Sequence, residues 1–142
     1  MRTIQNEMKM KISALSENEG VCRAMIAAFV ASLDPNIEEL ADIKCAVSEA
    51  VTNCIVHAYG GRGGAIYISV GIYGNRLVRI EVRDRGCGIP DVGAAMRPTF
   101  TTDKSGERSG MGFSVMGSFM SRLRVFSSVG RGTRVVMWKQ LS

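Results

Sequence analysis

The strongest constraint on the fold is a pair of β-rich runs, residues 65–73 and 77–84, separated only by a Gly-Asn-Arg turn. A connection this short between two such runs is typical of a β-hairpin. Residues 123–129 and 133–141 form a second close pair of β-rich runs. Because these strands follow one another directly instead of alternating with helices, the sequence predicts an α+β fold.

Helical patterns and one further strand complete the order of elements. Residues 7–15 alternate apolar with polar side chains and predict a first strand. Ser16, with Glu19 three residues later, has the spacing of a capping box and predicts the start of a helix. A second helix is expected over residues 37–58, and helical spacing resumes at Met111. This order predicts a single domain, a two-layer α/β sandwich whose helices pack on one face of a mixed, mostly antiparallel sheet.

The charge of the chain favours an acidic partner. Eighteen Lys and Arg against thirteen Asp and Glu give a net charge of +5. Such a balance suits nucleic acid, nucleotide phosphates or an acidic protein surface. The basic residues are scattered along the sequence and only one Trp is present, so nucleic acid is not the first choice of partner.

The pattern of apolar stretches and the spacing of the cysteines exclude several other classes of protein. The N-terminal region lacks the apolar run of a signal peptide, and no apolar stretch is long enough to span a bilayer. We therefore expect a cytoplasmic protein without membrane contact. The four cysteines form no C-x-x-C pair and the chain has one His, so a zinc site is not expected. Three of the four cysteines lie in apolar contexts and are expected to be buried.

A polar series on the second helix is the first candidate for chemistry. Glu49, Asn53 and His57 are spaced by four residues, which places them along one strip of an α-helix beside its apolar stripe. The Glu carboxylate could act as a general base, and the Asn amide oxygen is a suitable ligand for Mg²⁺. An ordinary Glu/Asn pair on a helix is the commoner explanation of such a series.

The second candidate is Asp84-Arg-Gly86-Cys-Gly88 at the end of a predicted strand. Glycines at alternate positions allow the backbone to approach a flat or anionic ligand closely. An Asp that ends a buried strand can accept a hydrogen bond from an amino group such as that of adenine. A simple glycine turn capped by the Asp is the alternative.

Two glycine pairs follow a segment without periodicity. Residues 91–110 are expected to form a flexible lid, and Gly110-Met-Gly112 precedes a helix whose free N–H groups could hold phosphate. In Gly130-Arg-Gly132-Thr133, the Thr could touch a base, although a plain turn is the commoner explanation of that motif. The chain has neither a P-loop motif nor the signature motifs of ordinary protein kinases.

Taken in order, these motifs resemble the Bergerat ATP-binding superfamily, which includes gyrase-type and Hsp90-type ATPases, histidine kinases and MutL-type repair proteins. Within it, the sequence is most similar to the small bacterial anti-sigma serine kinases of sporulation. Four regions carry the resemblance, which covers nearly the whole chain: residues 18–30, residues 46–59, residues 84–91, and residues 98–102 together with 107–113.

The resemblance implies a role for each motif residue. Glu49 would take the proton from an acceptor serine, Asn53 would hold Mg²⁺ and Arg108 would face the terminal phosphate. Asp84 would read the adenine amino group, Thr133 would lie near the base, and Gly86 and Gly88 would let the lid pass over the nucleotide. The backbone expected to line the phosphates comprises Ser109, Gly110, Met111 and Gly112.

The resemblance also implies partners. Such proteins hold a sigma factor, here of the sigma F type, and phosphorylate an anti-anti-sigma protein with ATP, leaving ADP. Arg23 and His57 match positions used for partner contact, although either could be an ordinary structural residue. A homodimer is expected, and no direct contact with nucleic acid. Ser121 and Arg122 replace an acidic pair of the family, which bears on partner choice. A stress-response anti-sigma kinase and a stand-alone ATPase, in which Glu49 activates water, are the alternatives.

Overall fold

A five-stranded antiparallel sheet forms one layer of the protein. The computed structural model describes residues 3–96 and 112–142. The strands are β1 (Ile4–Ser13), β2 (Ala65–Tyr73), β3 (Leu77–Asp84), β4 (Arg122–Ser128) and β5 (Gly132–Gln140). They lie side by side in the order β1-β2-β3-β5-β4, and each of the four pairings is antiparallel. The predicted α+β class and the order of the strands along the chain are confirmed, and the sheet predicted as mixed and mostly antiparallel is antiparallel in all four pairings.

Helices form the second layer. They are α1 (Glu17–Val30), α2 (Ile37–Asn53), α3 (Val92–Ala95) and α4 (Gly112–Phe119). A π-helical segment, Cys54–Ala58, continues α2. No helix in the described parts of the chain is long and apolar enough to cross a membrane.

Alternation along the strands separates the two faces of the sheet. In β2 and β3 the residues directed towards the helices are buried aliphatic side chains, such as Ile68, Val70, Ile80 and Val82. Successive strand residues point to opposite faces, so the intervening charged residues lie on the far side of the sheet. Each fully buried aliphatic side chain contributes about 1.5–3 kcal/mol to stability, which makes the interface between helices and sheet the core of the molecule.

A capping box forms at the second helix instead of the first. The Asn36 side chain accepts a hydrogen bond from Glu39 N at 2.7 Å, and Glu39 Oε1 accepts one from Asn36 N at 3.0 Å. The capping box predicted at Ser16 is wrong, because Ser16 already has helical dihedral angles and its side chain caps nothing. A cap residue needs an extended backbone for its side chain to reach the first free N–H groups.

The C-terminus is held at the β2–β3 hairpin. Arg76, with a left-handed backbone at φ 60°, donates to Leu33 O at 2.6 Å and to Ser142 O at 2.9 Å. Glu39 Oε2 accepts a hydrogen bond from Ser142 N at 2.7 Å. The backbone donors from Asn36 and Ser142 lower the pKa of Glu39 below its ordinary value. We call these residues the C-terminal latch.

The cysteines divide evenly between core and surface. Cys22 and Cys54 are buried, whereas Cys45 and Cys87 are exposed. The prediction of three buried cysteines is therefore wrong. Apolar neighbours in sequence do not bury a residue that lies on the outer side of a helix, as Cys45 does, or in a loop, as Cys87 does.

Candidate functional site

The last turn of α2 and the first residue of α4 bring three predicted residues together. A Cβ placed on Gly112 would lie 3.1 Å from Asn53 Nδ2 and 3.3 Å from Glu49 Oε2. These distances are tighter than ordinary van der Waals contact, so a side chain at this position would press on both polar groups. Glycine at the start of α4 therefore allows its N-terminal N–H groups to lie beside the carboxylate and the amide. A helix N-terminus at this point favours a negatively charged ligand.

The π-helical segment changes the position of His57. Tyr59 N donates to Cys54 O at 3.0 Å, a bond over five residues that gives a wider turn than an α-helix. The α-helical strip predicted for Glu49, Asn53 and His57 therefore ends at Asn53. His57 lies half-buried on the wider turn, out of α-helical register with the other two.

Asp84 is the most buried acid of the candidate site. Its exposed fraction is 5%, and it ends β3 as predicted. Oδ1 accepts hydrogen bonds from Gly86 N at 2.9 Å and Thr133 N at 3.2 Å, and Oδ2 lies 3.5 Å from Cys54 Sγ. Burial raises the pKa of Asp84 even though these donors act in the opposite direction. The carboxylate therefore retains the capacity to bind a further donor.

The neighbouring glycines are required by contacts within the protein. A Cβ on Gly86 would lie 2.3 Å from Ala58 O, where the loop after β3 packs on the π-helical segment. Gly88 has a φ of +78°, and its Cβ would lie 2.3 Å from Ser128 O. These contacts leave no room for a side chain at either position, so the glycines fix the loop against the body of the fold.

Thr133 joins Asp84 from the β4–β5 hairpin. A Cβ on Gly132, which has a φ of +120°, would lie 2.2 Å from Asp84 O, so glycine allows β5 to approach β3 closely here. The Thr133 hydroxyl lies 2.8 Å from Ser127 Oγ, and Ser127 Oγ accepts a hydrogen bond from Ile89 N at 2.7 Å. Three segments distant in sequence therefore meet around one carboxylate.

Two residues at this site were not predicted as site residues. The Tyr59 hydroxyl accepts a hydrogen bond from Arg85 N at 2.7 Å and donates one to Ala65 O at 2.6 Å, which fixes the backbone directly after Asp84. Burial raises the pKa of the Cys54 thiol well above its ordinary value, so this thiol stays protonated and can donate to Asp84. In the sequence, Cys54 belongs to the apolar stripe of the second helix, which gives no sign of a role at the site. For Tyr59, the one sequence signal is that it directly precedes the Gly60-Gly61 pair that ends the helix.

Arg23 lies away from these groups, between the first two helices. Its guanidinium donates to Glu19 Oε1 at 3.2 Å and to Ser48 Oγ at 3.3 Å, and 42% of the side chain is exposed. Arg23 therefore holds α1 against the turn of α2 that carries Glu49. Its expected role in partner contact stays a prediction.

Four of the predicted site residues lie outside the described residues: Arg108, Ser109, Gly110 and Met111. Most of the segment predicted as a lid, residues 91–110, lies outside them as well. At its described beginning, Asp91 Oδ1 caps α3 by accepting a hydrogen bond from Ala94 N at 3.0 Å.

The donor set fits a magnesium ion held together with phosphates. Across residues 3–96 and 112–142, no three His, Cys, Asp or Glu side chains form a metal-binding group. Mg²⁺ commonly uses one or two protein oxygens and completes its shell with phosphates and water. Asn53 could supply one oxygen, and Glu49, one helical turn away, is the candidate base.

Comparison with known proteins places these features in a family. A model of the histidine kinase-like ATPase domain matches residues 12–139. The chain is 54% identical over 136 residues to the anti-sigma F factor of Caldanaerobacter subterraneus subsp. tengcongensis, covering 96% of this chain and 94% of the relative. It is 45% identical over 139 residues to the anti-sigma F factor of Clostridium acetobutylicum, with coverage of 98% and 96%.

Solved structures share the fold at low sequence identity. The RsbU and RsbW domains of Rv1364c from Mycobacterium tuberculosis superpose with a TM-score of 0.69 at 20% identity, over 96% of this chain and 33% of that one. The catalytic domain of histidine kinase ThkA superposes with a TM-score of 0.59 at 17% identity, over 96% and 97%. Both share the α+β fold of this chain.

Proposed function

The chain belongs to the family of histidine kinase-like ATPase domains and, within it, to the anti-sigma F factors, and on that premise we propose its function. It binds and inhibits a sporulation sigma factor of the sigma F type. It also transfers the terminal phosphoryl group of ATP to a serine of an anti-anti-sigma protein and releases ADP. The observation that carries this proposal is the cluster of Glu49, Asn53 and Gly112, which supplies a base, a metal ligand and a phosphate-binding helix terminus at one place.

Glu49 acts as the base of the transfer. Its carboxylate accepts the proton of the serine hydroxyl as that oxygen attacks the terminal phosphorus and the bond to ADP breaks. Phosphoryl transfer depends mainly on positioning and charge neutralisation, which the helix α4 terminus provides here. Mg²⁺, held by Asn53 and the phosphates, would supply further neutralisation of charge.

Asp84 selects the adenine base. Within residues 3–96 and 112–142, the one hydrogen-bond contact given for its Oδ2 is the long one of 3.5 Å to the Cys54 thiol, so Oδ2 can accept a hydrogen bond from the exocyclic amino group of adenine. A guanine base presents a carbonyl oxygen in place of that amino group and would face the carboxylate with an acceptor. The arrangement therefore favours ATP over GTP.

Protein partners complete the proposal. We assign sigma contact to Arg23 and His57, on the helical side of the molecule, and propose that the active form is a homodimer. Because ATP and the transcription machinery are both cytoplasmic, we place the reaction in the cytoplasm. Loss of sigma binding in Arg23→Gln, with ATP binding retained, would support this assignment, whereas undiminished sigma binding would contradict it.

Labelled ATP and a purified anti-anti-sigma protein test the kinase activity. Glu49→Gln should reduce phosphoryl transfer by about 10²-fold or more, because the base is lost while the shape is kept. ATP affinity should stay within about twofold. Glu38→Gln, an exposed acid in the first turn of the same helix, is the matched control and should transfer normally.

Three outcomes would contradict the proposal. Undiminished transfer by Glu49→Gln would remove the role of that residue. Label on an amino acid other than serine would correct the acceptor. Rapid ATP hydrolysis without any protein acceptor would favour a stand-alone ATPase, in which Glu49 activates water.

A further inference from the structure

Lys139 occupies a position of β5 that faces the helices. The other residues of this row are Val135, Met137 and Leu141, which are all buried and apolar. Lys139 also lies directly opposite Val78, a fully buried residue of β3. Only 13% of the Lys139 side chain is exposed, so its ammonium group is enclosed between the sheet and the helices.

The ammonium group joins two helices. Lys139 Nζ donates to Asp42 Oδ2 on α2 at 2.9 Å and to the backbone oxygen of Phe119, the last residue of α4, at 2.5 Å. The last carbonyl groups of a helix have no partner within that helix, and they carry its negative dipole end. Since α4 contains no basic residue, β5 supplies the cation at this end. We call Lys139, Asp42 and the Phe119 carbonyl the α2–α4 bridge.

The turn after α4 is attached to β5 on both sides of Lys139. Ser121 N donates to Trp138 O at 2.8 Å, and Ser121 Oγ accepts a hydrogen bond from Gln140 N at 2.9 Å. Backbone groups of the strand therefore also hold this end of α4 on the sheet. The ammonium group adds a polar link from the same end to Asp42 on α2.

The α2–α4 bridge and the proposed catalytic cluster lie at opposite ends of the same pair of helices. On α2, Asp42 precedes Glu49 by seven residues, and on α4, Gly112 precedes Phe119 by seven residues. Each separation corresponds to about 10 Å along a helix and to nearly two turns. The two helices therefore run antiparallel, and polar groups meet in matching register at both ends.

This register links the bridge to the geometry of the site. A short helix is a rigid element, so a shift of Phe119 relative to Asp42 moves Gly112 relative to Glu49 by a similar distance. A misplacement of about 1 Å in a reacting group can lower a rate by about a hundredfold. The distance between the first N–H groups of α4 and the Glu49 carboxylate is thus sensitive to a contact about 10 Å away.

We propose that Lys139 is a positioning residue for phosphoryl transfer. It acts through the α2–α4 bridge, which sets the position of the N-terminus of α4 beside Glu49. This role rests on the proposed kinase function, because its effect is on the rate of transfer. For stability alone an apolar side chain would serve about as well, since removing an ion pair from water costs about as much as its attraction returns. An apolar side chain could not bond to both helices.

Four variants separate a positioning role from a merely structural one. Lys139→Met removes the ammonium group and keeps most of the stem, and Asp42→Asn removes the negative charge and keeps the shape. Lys139→Arg retains a cation with donors for both partners. Glu39→Gln, in the C-terminal latch at the other end of α2, loses a structural interaction without touching the bridge. All are measured at a temperature at which circular dichroism shows each variant to be folded.

Single-turnover transfer from bound, labelled ATP to a purified anti-anti-sigma protein isolates the transfer step from product release. We expect Lys139→Met to lower the maximal rate about tenfold, with the half-saturating acceptor concentration within about twofold. Lys139→Arg should recover most of this loss. Lys139→Met/Asp42→Asn should be no slower than Lys139→Met, because both residues act through one bridge. Glu39→Gln should transfer at the wild-type rate.

Hydrogen exchange tests the bridge without a kinase assay. In the chain without nucleotide, the amides of α4 should exchange about tenfold faster in Lys139→Met than in the wild type, because one end of the helix is released from α2. Glu39→Gln should leave the exchange of α4 unchanged.

Equal single-turnover rates in Lys139→Met and an active wild type would overturn the role of Lys139 and leave the kinase proposal intact. A rate loss that Glu39→Gln shares, or that Lys139→Arg does not recover, would identify a merely structural residue. A wild type that phosphorylates no serine would contradict the kinase proposal itself. Hydrogen exchange then decides on the bridge: faster exchange of α4 in Lys139→Met supports its control of the helix, and unchanged exchange overturns it.

Discussion

Two buried carboxylates lie near opposite ends of β3 and behave in opposite ways. Glu39, in the C-terminal latch beside Arg76, accepts hydrogen bonds from the backbone N–H groups of Asn36 and Ser142 on separate oxygens and has a lowered pKa. Asp84, at the far end of the strand, also accepts two backbone N–H groups, yet its pKa is raised by burial. The difference lies in which cause is larger: at Glu39 the two backbone donors outweigh desolvation, whereas at Asp84 desolvation by burial outweighs the donors.

This contrast separates a structural carboxylate from one prepared for a ligand. The latch residue has its charge balanced by the chain itself, so its interactions contribute to folding. Asp84, at the candidate nucleotide site, is held in position by hydrogen bonds from Gly86, Thr133 and Cys54. None of these three donors carries a positive charge. A buried acid in that condition is a candidate for binding a donor from a ligand.

The largest expected effect is that of Asp84→Asn. The Asn oxygen can still accept from Gly86 N and Thr133 N, but its amide N–H₂ group would face the adenine amino group, donor against donor. ATP affinity measured by calorimetry should fall by about tenfold to a hundredfold, since a hydrogen bond to a charged group contributes about 1.5–3 kcal/mol. The free energy of unfolding in urea should stay equal or rise. A large loss of stability with unchanged ATP affinity would show that Asp84 is a structural carboxylate and not one that binds a ligand.

Tyr59→Phe should have the next largest effect. The variant leaves Arg85 N and Ala65 O without their partner, at a cost of about 1–3 kcal/mol in the free energy of unfolding. It also frees the backbone beside Asp84, so ATP affinity should fall several-fold while GTP affinity changes less. Tyr73→Phe is the control, because Tyr73 ends β2 and lies remote from Asp84. Equal ATP affinity in both variants would show that Tyr59 does not position the site.

The smallest effect is expected at the latch, in Glu39→Gln. Because the folded pKa of Glu39 lies below its ordinary value of 4.5, its stabilising contribution is complete above pH 4.5 and is lost as the pH falls through the folded pKa. Urea denaturation should show a lower stability of the variant at pH 7 and a smaller loss on acidification, with ATP binding unchanged.

Asp84 should give the opposite pH dependence. Its folded pKa lies above the ordinary 3.8, so its contribution to stability falls as the pH rises between these two values. Asp84→Asn should therefore show a larger loss of stability on acidification than the wild type. If the free energy of unfolding changed equally with pH in the wild type, Glu39→Gln and Asp84→Asn, the contrast between the two carboxylates would be contradicted.

Local patterns predicted much of this site. The types and order of Glu49, Asn53, Asp84 and Thr133 were readable because each follows a local rule of strand end, helix spacing or glycine turn. The roles of Tyr59 and Cys54 were not readable, since a hydroxyl and a thiol acquire partners only when distant segments meet. The same reason explains the misplaced capping box at Ser16, whose backbone is set by how α1 joins β1.

The sequence by itself determined the α+β class, the central hairpin and the family, because strand alternation, turn residues and motif order are local properties. The tertiary structure alone decided which of these residues share a site. Gly112 lies against Glu49 and Asn53 only because α4 packs beside α2. Basic residues of β1, β3, β4 and β5 likewise share the side of the sheet that faces away from the helices only because the strands are paired in register with the same alternation.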